Sequence, residues 1–262
     1  MSYSNIEFSI DQGIARITLA RPESANTISA PMAEELLQAA VECDGHPAVR
    51  VVVLGAKGRF FSGGGDVASF AAAGDQAAGL LRRITATLHA AVSRFARMDA
   101  PLVTLVNGTA AGAGFSLAIS GDIVIAAESA KFTPAYTRIG MSADGGGSFV
   151  LPRLIGAQRA RQLLLLNPLC SASEARDLGL VGFVVPDADL EAKGAEIART
   201  LAAGPTRAYG EVKRLLLDSH SNSLEQQLAL ESRSMSALAE TADGREGFAA
   251  FVAKRPAHFT GR

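Results

Sequence analysis

Near its start the chain alternates apolar and polar residues in two short stretches, 6–10 and 15–19, separated by the turn Asp11-Gln12-Gly13. A period of two is typical of a strand with one buried face, so the pattern predicts a β-hairpin. Ser29 then precedes Pro31 and an apolar stripe of helical period. Because Ser is a favoured N-cap and Pro fits the first helical turn, a helix is predicted there, and Gly45 ends it.

Further along, short continuous apolar runs alternate with longer amphipathic segments. Continuous runs of this kind are typical of strands buried on both faces. The predicted strands are Val51–Leu54, Leu102–Val106, Asp122–Ala126, a shorter one from Ala130 and a late one at Gly182–Val185. The predicted helices between them are Leu80–Met98, Gln158–Leu166 and Ser173–Leu178. Strands alternating with helices predict the α/β class.

From Pro205 onward the pattern predicts helices only. One covers 205–219, a second begins with a capping box at 223–226, and a third begins at 243–246 and ends before Pro256. We therefore expect two parts, an α/β core over residues 1–204 and a helical region over residues 205–262.

Two glycine-rich turns each follow a predicted buried strand and lead toward a predicted helix, at 58–66 and 107–116. Glycine allows close approach of the backbone and leaves its N–H uncovered, so two such turns could direct two N–H donors at one oxygen. The alternative is that both are simply tight strand-to-helix turns. A third glycine-rich helix entry lies at 138–149, and the small residues of 70–80 predict a mobile loop over a site.

Composition limits the classes of function. The chain has 262 residues, 48% of them apolar and 19% charged, which is enough for a sizeable core. The net charge of −1 gives no reason to expect a nucleic-acid or membrane partner. Cys43 and Cys170 lie far apart without metal-ligand spacing, so free thiols in a reducing, cytoplasmic setting are expected. No signal peptide or membrane span is predicted.

Asp144 is the most promising candidate for chemistry. It lies in a small, nearly apolar loop, 141–146, where a carboxylate stripped of water could act as a general base. The alternative is that Asp144 caps the following helix. Asp66 has a similar alternative as a helix cap, Asp122 as the anchor of a strand, and His89 as a structural histidine of a helix.

Other chemistries fit poorly. Residues 63–68 formally match a dinucleotide fingerprint but lack the acidic residue about 20 positions on. Ser116 lies in a partial nucleophile-elbow pattern without its second glycine, and His220 and His258 fall in the helical tail, so a serine hydrolase is disfavoured. No metal motif is present, and no metal or redox cofactor is expected.

Several motifs together resemble the enoyl-CoA hydratase/isomerase (crotonase) superfamily, over nearly the whole chain. The motifs are GRFFSGGGD at 58–66, NGTAAGAG at 107–114, Gly121-Asp122, the segment 132–140 running on to 151–153, the segment 172–180 and the tail 248–260. The resemblance implies a ClpP/crotonase-like spiral of ββα repeats, with C-terminal helices that close the site and build a homotrimer or a dimer of trimers. It also implies an acyl-CoA thioester substrate.

By position, the resemblance assigns the family's oxyanion-hole N–H groups to Gly63 and Ala113. The two glutamates that hydratases use fall on Ser116 and Tyr136, and neither can act as a carboxylate base. Asp144 matches the working aspartate of dienoyl-CoA isomerases, ring-opening epoxyphenylacetyl-CoA isomerases and aromatic-CoA dehalogenases. The resemblance therefore predicts an isomerase that shifts a double bond or opens a ring, with Asp144 as proton shuttle.

Besides the disfavoured serine hydrolase, three alternatives to the isomerase remain. One is an enoyl-CoA hydratase that uses another carboxylate. The second is an aromatic acyl-CoA dehalogenase, since His89 matches the dehalogenase histidine, although those enzymes stack their substrate on tryptophans and this chain has none. The third is a non-catalytic CoA-binding homologue. The loop 143–146 and the tail 254–261 are most similar to the ring-opening isomerases of phenylacetate breakdown and their unassigned homologues.

Family analogy also predicts the residues that bind the substrate and its CoA portion. They are Ser24, Ala25, Thr27, Lys57, Phe61, Gly64, Asp66, Val67, Ala110, Tyr136 and Phe259. Phe259 could come from a neighbouring subunit. Arg21, Lys57 or Lys254 could meet phosphates, although surface cations are usually only solvated.

Overall fold

The computed structural model describes residues 3–262. Its strands are β1 (Ile6–Asp11), β2 (Ile14–Leu19), β3 (Val51–Ala56), β4 (Phe60–Ser62), β5 (Leu102–Val106), β6 (Thr109–Ala111), β7 (Ile123–Ala127), β8 (Lys131–Thr133), β9 (Cys170–Ser171) and β10 (Phe183–Val185). Its helices are α1 (Ala30–Gly45), α2 (Val67–Ala72), α3 (Ala77–Arg97), α4 (Ala113–Ile119), α5 (Gly147–Leu166), α6 (Ala172–Leu178), α7 (Leu190–Ala202), α8 (Thr206–Asp218), α9 (Leu224–Ala239) and α10 (Ala242–Val252).

The strands form two sheets that share a repeating connection. The larger sheet has the order β1-β2-β3-β5-β7-β10, and the smaller has the order β4-β6-β8-β9. In three consecutive repeats, the first strand joins the larger sheet, the second joins the smaller, and a helix follows: β3-β4-α2, β5-β6-α4 and β7-β8-α5. The β1-β2 pair is the predicted antiparallel hairpin. The predicted α/β spiral of ββα units is therefore confirmed.

The continuous apolar run of β3 is explained by cover on both faces of the large sheet. Val52 and Leu54 belong to the main core, whereas Val51 and Val53 belong to a second cluster that also contains Leu190 of α7. All four side chains are fully buried. Because successive side chains of a strand point to opposite faces, this strand could not show the alternation of the hairpin.

Some local predictions were wrong. The segment 70–80 is helical: it contains the end of α2, a 3-10 turn at Gly74–Gln76 and the start of α3. Its alanines favour a helix when packing is available, so the predicted loop does not form. By contrast, the glycine-rich helix entry predicted at 138–149 leads into α5 at Gly147, and the break at Gly156, whose φ is 78°, separates off the predicted helix Gln158–Leu166 as the second part of α5. Strands β4, β6 and β9 and helix α7 were not predicted.

The absence of a side chain at Gly194 allows α7 to approach the large sheet closely. A Cβ at this position would lie 2.7 Å from Leu105 of β5. A contact this short would force the helix away from the sheet. A glycine in a helix normally lowers the expectation of that helix, which is why local pattern gave α7 no clear signal.

The helical region is tied to the core through α8. The ammonium group of Lys213 donates to the carbonyl oxygens of Phe95 and Ala100, both at 2.9 Å, and pairs with Asp122 at 2.9 Å. Burial lowers the pKa of Lys213, while the charge of Asp122 acts in the opposite direction. Asp122 also accepts the N–H of Leu102 at 2.7 Å, in line with its expected role as a strand anchor. The division of the chain at residue 204 stays a prediction.

Candidate active site

A largely apolar cavity of about 430 Å³ lies where the three ββα repeats meet. We call it the central cavity. Each repeat contributes the segment that follows its second strand, and α3 supplies an apolar wall. The lining includes Ile28, Gly63, Gly65, Val67, Phe70, Leu81, Ile84, Leu88, Gly112, Ala113, Tyr136, Arg138, Met141 and Asp144. The two glycine-rich turns and the Asp144 loop, which lie far apart in the sequence, therefore converge on one space.

The first two turns touch because Gly64 has no side chain. Its φ is +92°, and a Cβ there would lie 2.7 Å from the carbonyl oxygen of Ala111 and 3.3 Å from the backbone nitrogen of Ala113. Only glycine fits such a close approach in this conformation. The hydroxyl of Ser62 accepts the N–H of Gly64 at 3.2 Å and donates to the carbonyl of Asn26 at 2.8 Å. The turn is thereby fixed to the loop that precedes α1.

The oxyanion-hole assignment needs one correction. The N–H of Gly63 donates to the carbonyl oxygen of Ala25 at 2.8 Å, so it is already used inside the protein. Gly65, two residues later, also lines the cavity, and its N–H makes no hydrogen bond within residues 3–262. The N–H of Ala113 is likewise free, because Ala113 is the first residue of α4 and has no intrahelical acceptor. The donor pair available to a ligand is therefore Gly65 with Ala113.

Asp144 does not cap the following helix. The N-cap of α5 is Gly146, and no side chain accepts a hydrogen bond there. Asp144 instead lines the central cavity, and its Oδ1 atom is buried without a hydrogen-bond partner within residues 3–262. A buried carboxylate oxygen without a partner is costly for a structural residue. The arrangement is therefore one that a bound ligand or a reaction can use.

Hydroxyl groups occupy the two positions that match the hydratase glutamates. Ser116 Oγ and Tyr136 Oη lie 2.7 Å apart, and Tyr136 donates to the backbone carbonyl of Asp144 at 3.2 Å. Burial raises the pKa of Tyr136 above its usual value, and the charge of Asp144 adds to the effect. The phenol therefore stays a neutral donor. Ser116 bonds to this phenol and to no imidazole within residues 3–262, which removes support for a serine nucleophile.

The other predicted binding residues have mixed placements. Val67 and Tyr136 line the cavity. Ser24, Ala25 and Thr27 lie in the loop between β2 and α1, where Ala25 and Thr27 lie beside Gly63. Lys57 is exposed and pairs with Glu7.

Of the eleven predicted binding residues, only Val67 and Tyr136 belong to the cavity lining, and four of the others have a clear place elsewhere. Phe61 and Ala110 are completely buried in β4 and β6, so the prediction that they contact substrate is wrong. Asp66 caps α2 by accepting the N–H of Ser69 at 3.2 Å. Phe259 lines a separate cavity of about 260 Å³ among the C-terminal helices.

Sequence reasoning missed three residues that shape the site. Gly65 supplies the free N–H, and its position directly before the helix cap Asp66 was the available signal. Asn26 is fully buried and accepts the N–H of Arg21 at 2.8 Å while donating to the carbonyls of Lys57 and Phe60. Phe70 closes one side of the cavity from α2. The partners of Asn26 come from distant segments, so its spacing gave no signal.

The described residues offer neither a cluster of metal ligands nor a membrane-spanning helix. No group of three or more His, Cys, Asp or Glu side chains in residues 3–262 could hold a metal ion. Over the same residues, none of the helices combines the length and apolar character needed to cross a bilayer. Cys43 and Cys170 are buried and unpaired, and burial raises the pKa of the Cys43 thiol to about 12.

Comparison with known proteins gives the family. The enoyl-CoA hydratase/isomerase family model matches residues 9–262. A protein of Rhodobacter capsulatus named "Probable enoyl-CoA hydratase" is 43% identical over 100% of both chains. The 1,2-epoxyphenylacetyl-CoA isomerase of Escherichia coli is 36% identical over 97% of both chains. A crystal structure of an enoyl-CoA hydratase from a Polaromonas species has a TM-score of 0.92 and 32% identity, covering 97% of this chain and 99% of that one.

The chain therefore belongs to the enoyl-CoA hydratase/isomerase family and has the crotonase fold. It is an enzyme of the acyl-CoA-transforming kind, as the sequence motifs indicated.

Proposed function

We propose that this enzyme is an enoyl-CoA isomerase in which Asp144 moves the proton and the N–H groups of Gly65 and Ala113 hold the enolate oxygen. One observation carries the proposal: Asp144, whose buried Oδ1 has no hydrogen-bond partner within residues 3–262, lines the central cavity together with Gly65 and Ala113, whose N–H groups are free. A base and a pair of donors converging on one apolar space is the arrangement that enolate chemistry requires.

The proposed reaction balances with a single carboxylate. Asp144 removes a proton from C2 of a 3-enoyl thioester, and the electron pair delocalises onto the thioester oxygen between the two N–H donors. The C3–C4 double bond then shifts to C2–C3 as the protonated Asp144 returns the proton to C4. No atom is gained or lost, so the proposal needs no metal or redox cofactor, and CoA takes part only as the thioester carrier.

Isomerisation is favoured over hydration by the side chains beside the base. Hydration needs a group that activates or delivers water, and the two positions that match the hydratase glutamates carry Ser116 and Tyr136, which bond to each other. Neither hydroxyl is a base near neutral pH. Hydration remains the second candidate because of the Rhodobacter relative's name.

The test is Asp144→Asn with trans-3-hexenoyl-CoA as substrate, followed by the absorbance of the conjugated product. Loss of the proton shuttle should lower kcat by about 10³-fold or more. Asp187→Asn is the matched control, because Asp187 is a carboxylate outside the cavity that accepts the N–H of Ser129. Equal rates for Asp144→Asn and the wild type would overturn the assignment.

Two other outcomes would indicate a different function. Rapid loss of enoyl absorbance with crotonyl-CoA would indicate a hydratase, and CoA binding without turnover of any thioester would indicate a non-catalytic binding homologue.

The acyl group is proposed to be a hydrocarbon chain or ring. Phe70, Leu81, Ile84 and Leu88 form an apolar wall without a charge to meet a polar substituent. The Escherichia coli relative acts, by its name, on 1,2-epoxyphenylacetyl-CoA, so ring opening in phenylacetate breakdown is a specific version of the proposal. Comparing kcat/KM for that thioester and for trans-3-hexenoyl-CoA distinguishes ring opening from a double-bond shift. An aromatic dehalogenase would release halide from 4-chlorobenzoyl-CoA.

We also propose that the active form is a cytoplasmic homotrimer or dimer of trimers. Helix α9 has no buried residue, and Met235, Phe248 and Phe251 of the C-terminal helices are 72%, 64% and 85% exposed. Apolar faces this open are typical of surfaces covered by another subunit. Light scattering on the full chain tests this proposal, and a monomer at micromolar concentration would contradict it. Phe259 and the loop 24–27 are proposed to meet the CoA portion only in the assembled form.

A further inference from the structure

Two side chains hold opposite edges of one peptide group next to Asp144. The carbonyl of Asp144 accepts a hydrogen bond from the Tyr136 hydroxyl at 3.2 Å. The N–H of Gly145 donates to Nε2 of His89 at 3.1 Å. The carbonyl of one residue and the N–H of the next belong to a single planar unit. The two bonds therefore fix the orientation of the Asp144–Gly145 peptide from both sides.

The two side chains come from separate parts of the fold. His89 lies on α3, and Tyr136 begins a 3-10 helix, Tyr136–Ile139, that follows β8. Between them, the backbone of the loop is of a kind that rotates easily, because Gly145 and Gly146 have φ values of +58° and +82°. Glycine loses more conformational freedom on ordering than any other residue. A peptide in this setting needs external contacts to keep one orientation.

The orientation of this peptide matters because the carboxylate lacks support of its own at Oδ1. That atom has no hydrogen-bond partner within residues 3–262. No hydrogen bond at this oxygen holds the carboxylate, so its position depends on the backbone that carries it. Rotating the Asp144–Gly145 peptide changes ψ of Asp144 and moves the loop that carries the carboxylate relative to the two N–H donors.

We infer that His89 and Tyr136 are positioning residues that clamp the Asp144–Gly145 peptide and thereby aim the Asp144 carboxylate into the central cavity. This inference rests on the proposed role of Asp144. The histidine must accept through Nε2, so its proton lies on Nδ1. The tyrosine must donate, which its elevated pKa allows at any pH near neutrality.

Kinetics of three variants test the clamp with trans-3-hexenoyl-CoA. His89→Leu removes the acceptor, and Tyr136→Phe removes the donor while keeping the ring. Each should lower kcat by about 10- to 100-fold, the cost of a small misplacement of a reacting group, with little change in KM. His89→Gln should recover most of the loss, because its amide oxygen can accept the same N–H.

Two matched controls are available in the chain. His46 also accepts a backbone N–H, that of Ala48 at 3.3 Å, but outside the central cavity. Tyr3 donates a hydroxyl to Glu42 at 3.5 Å, again outside the cavity. His46→Leu and Tyr3→Phe should leave kcat unchanged. Wild-type kcat in both His89→Leu and Tyr136→Phe would overturn the inference, as would failure of His89→Gln to exceed His89→Leu.

Hydrogen–deuterium exchange of the segment 141–149 tests the clamp without relying on turnover. His89→Leu and Tyr136→Phe should speed exchange in this segment, whereas Asp144→Asn should not, since its side chain takes no part in the clamp. Unchanged exchange in the first two variants would overturn the clamp. An active Asp144→Asn would overturn the proposed function instead, so the two failures can be told apart.

Discussion

The two sides of the central cavity present different kinds of atoms. One side, formed by the first two glycine-rich turns, offers the backbone N–H groups of Gly65 and Ala113. The other side, formed by the third, offers the Asp144 carboxylate, supported by the hydroxyl of Tyr136 and the imidazole of His89. The N–H donors of the first side belong to the backbone, so they do not depend on which side chains are present, provided that the two turns stay in contact. The second side depends on the identity of each side chain.

The three ββα repeats contribute different groups to the central cavity. All three repeats deliver the segment after their second strand to the same space. In the first two, the essential feature is a close approach of backbones through Gly64, for which only a missing side chain is required. In the third, the loop packs closely on Ser116 of α4 through Gly145 and Gly147, and Asp144 lines the cavity. Under the proposed function, the backbone side binds the oxyanion and the side-chain side determines which reaction follows.

The largest effect on the backbone side is expected from Ala113→Pro. Proline lacks the N–H and is well tolerated as the first residue of a helix, so the donor is removed while α4 is kept. Gly112 before it has φ 52° and ψ −129°, outside the α region that a following proline disfavours. We expect kcat to fall by about 10²–10³-fold, the usual effect of losing one oxyanion donor. Steady-state kinetics measure it, and circular dichroism with thermal melting checks the fold. A fully active, folded variant would remove Ala113 from the site.

A smaller loss is expected from Gly64→Ala, which separates the turns without deleting a donor. The new Cβ would lie 2.7 Å from the Ala111 carbonyl at a φ of +92°. We expect about 100-fold lower kcat, because both N–H groups shift relative to Asp144. Gly74→Ala is the control, since Gly74 also has a positive φ, +49°, but nothing lies within 4 Å of the added Cβ. Similar activity losses in both variants would mean that backbone strain, and not contact between the turns, is responsible.

Gly65→Ala should change kcat little. The variant keeps the N–H of position 65 but adds a methyl group, so it shows whether the site needs the N–H alone or also the empty space beside it. Its Cβ would meet only the ring of Phe70, 2.9 Å away, and that ring can move. The N–H remains, so kcat should stay within about threefold of wild type, a barrier change below ~1 kcal/mol. Parallel kinetics with Ala113→Pro give the comparison. A loss as large as that of Ala113→Pro would show that the side-chain space beside Gly65 is also required.

The smallest effect concerns a carboxylate with partners, in contrast to Asp144. Glu35 accepts the N–H groups of Ser4, Asn5 and Ile6. Burial acts to raise the pKa of Glu35, but these hydrogen bonds outweigh it and lower the pKa below the usual value. The stability they provide is complete above the ordinary pKa of about 4.3 and is lost as the pH falls through the lowered value.

Glu35→Gln should therefore cost about 1 kcal/mol of unfolding free energy at neutral pH. Urea unfolding of both proteins at pH 7 and in acid measures the gap, which should narrow as the pH falls. A difference in unfolding free energy that widens in acid would contradict this account. At either pH, the kcat of Glu35→Gln should equal that of the wild type.

Much of the architecture could be predicted from residue patterns. The hairpin alternation, the continuous apolar strands and the capping sequences at Ser29 and Ser223 each have a local cause, and the structure has the corresponding elements. The prediction failed where packing overrides local preference. Helix α7 depends on Gly194 lying against Leu105, and the segment 70–80 is largely helical although its small residues predicted a loop.

The sequence by itself determined the fold and the family, because periodicity, glycine spacing and motif identity are properties of neighbouring residues. The expectation that Asp144 works with two backbone N–H groups came through the family resemblance. Only the tertiary structure decided which N–H groups are free. Gly63 and Gly65 look alike in the sequence, but the carbonyl of Ala25 from a distant loop takes the N–H of one and leaves the other unpaired. The same reason applies to Phe61, which is fully buried in the fold, and to the peptide beside Asp144, whose partners His89 and Tyr136 come from separate parts of the fold. Hydrogen bonds between distant segments depend on three-dimensional contact, and local pattern carries no record of it.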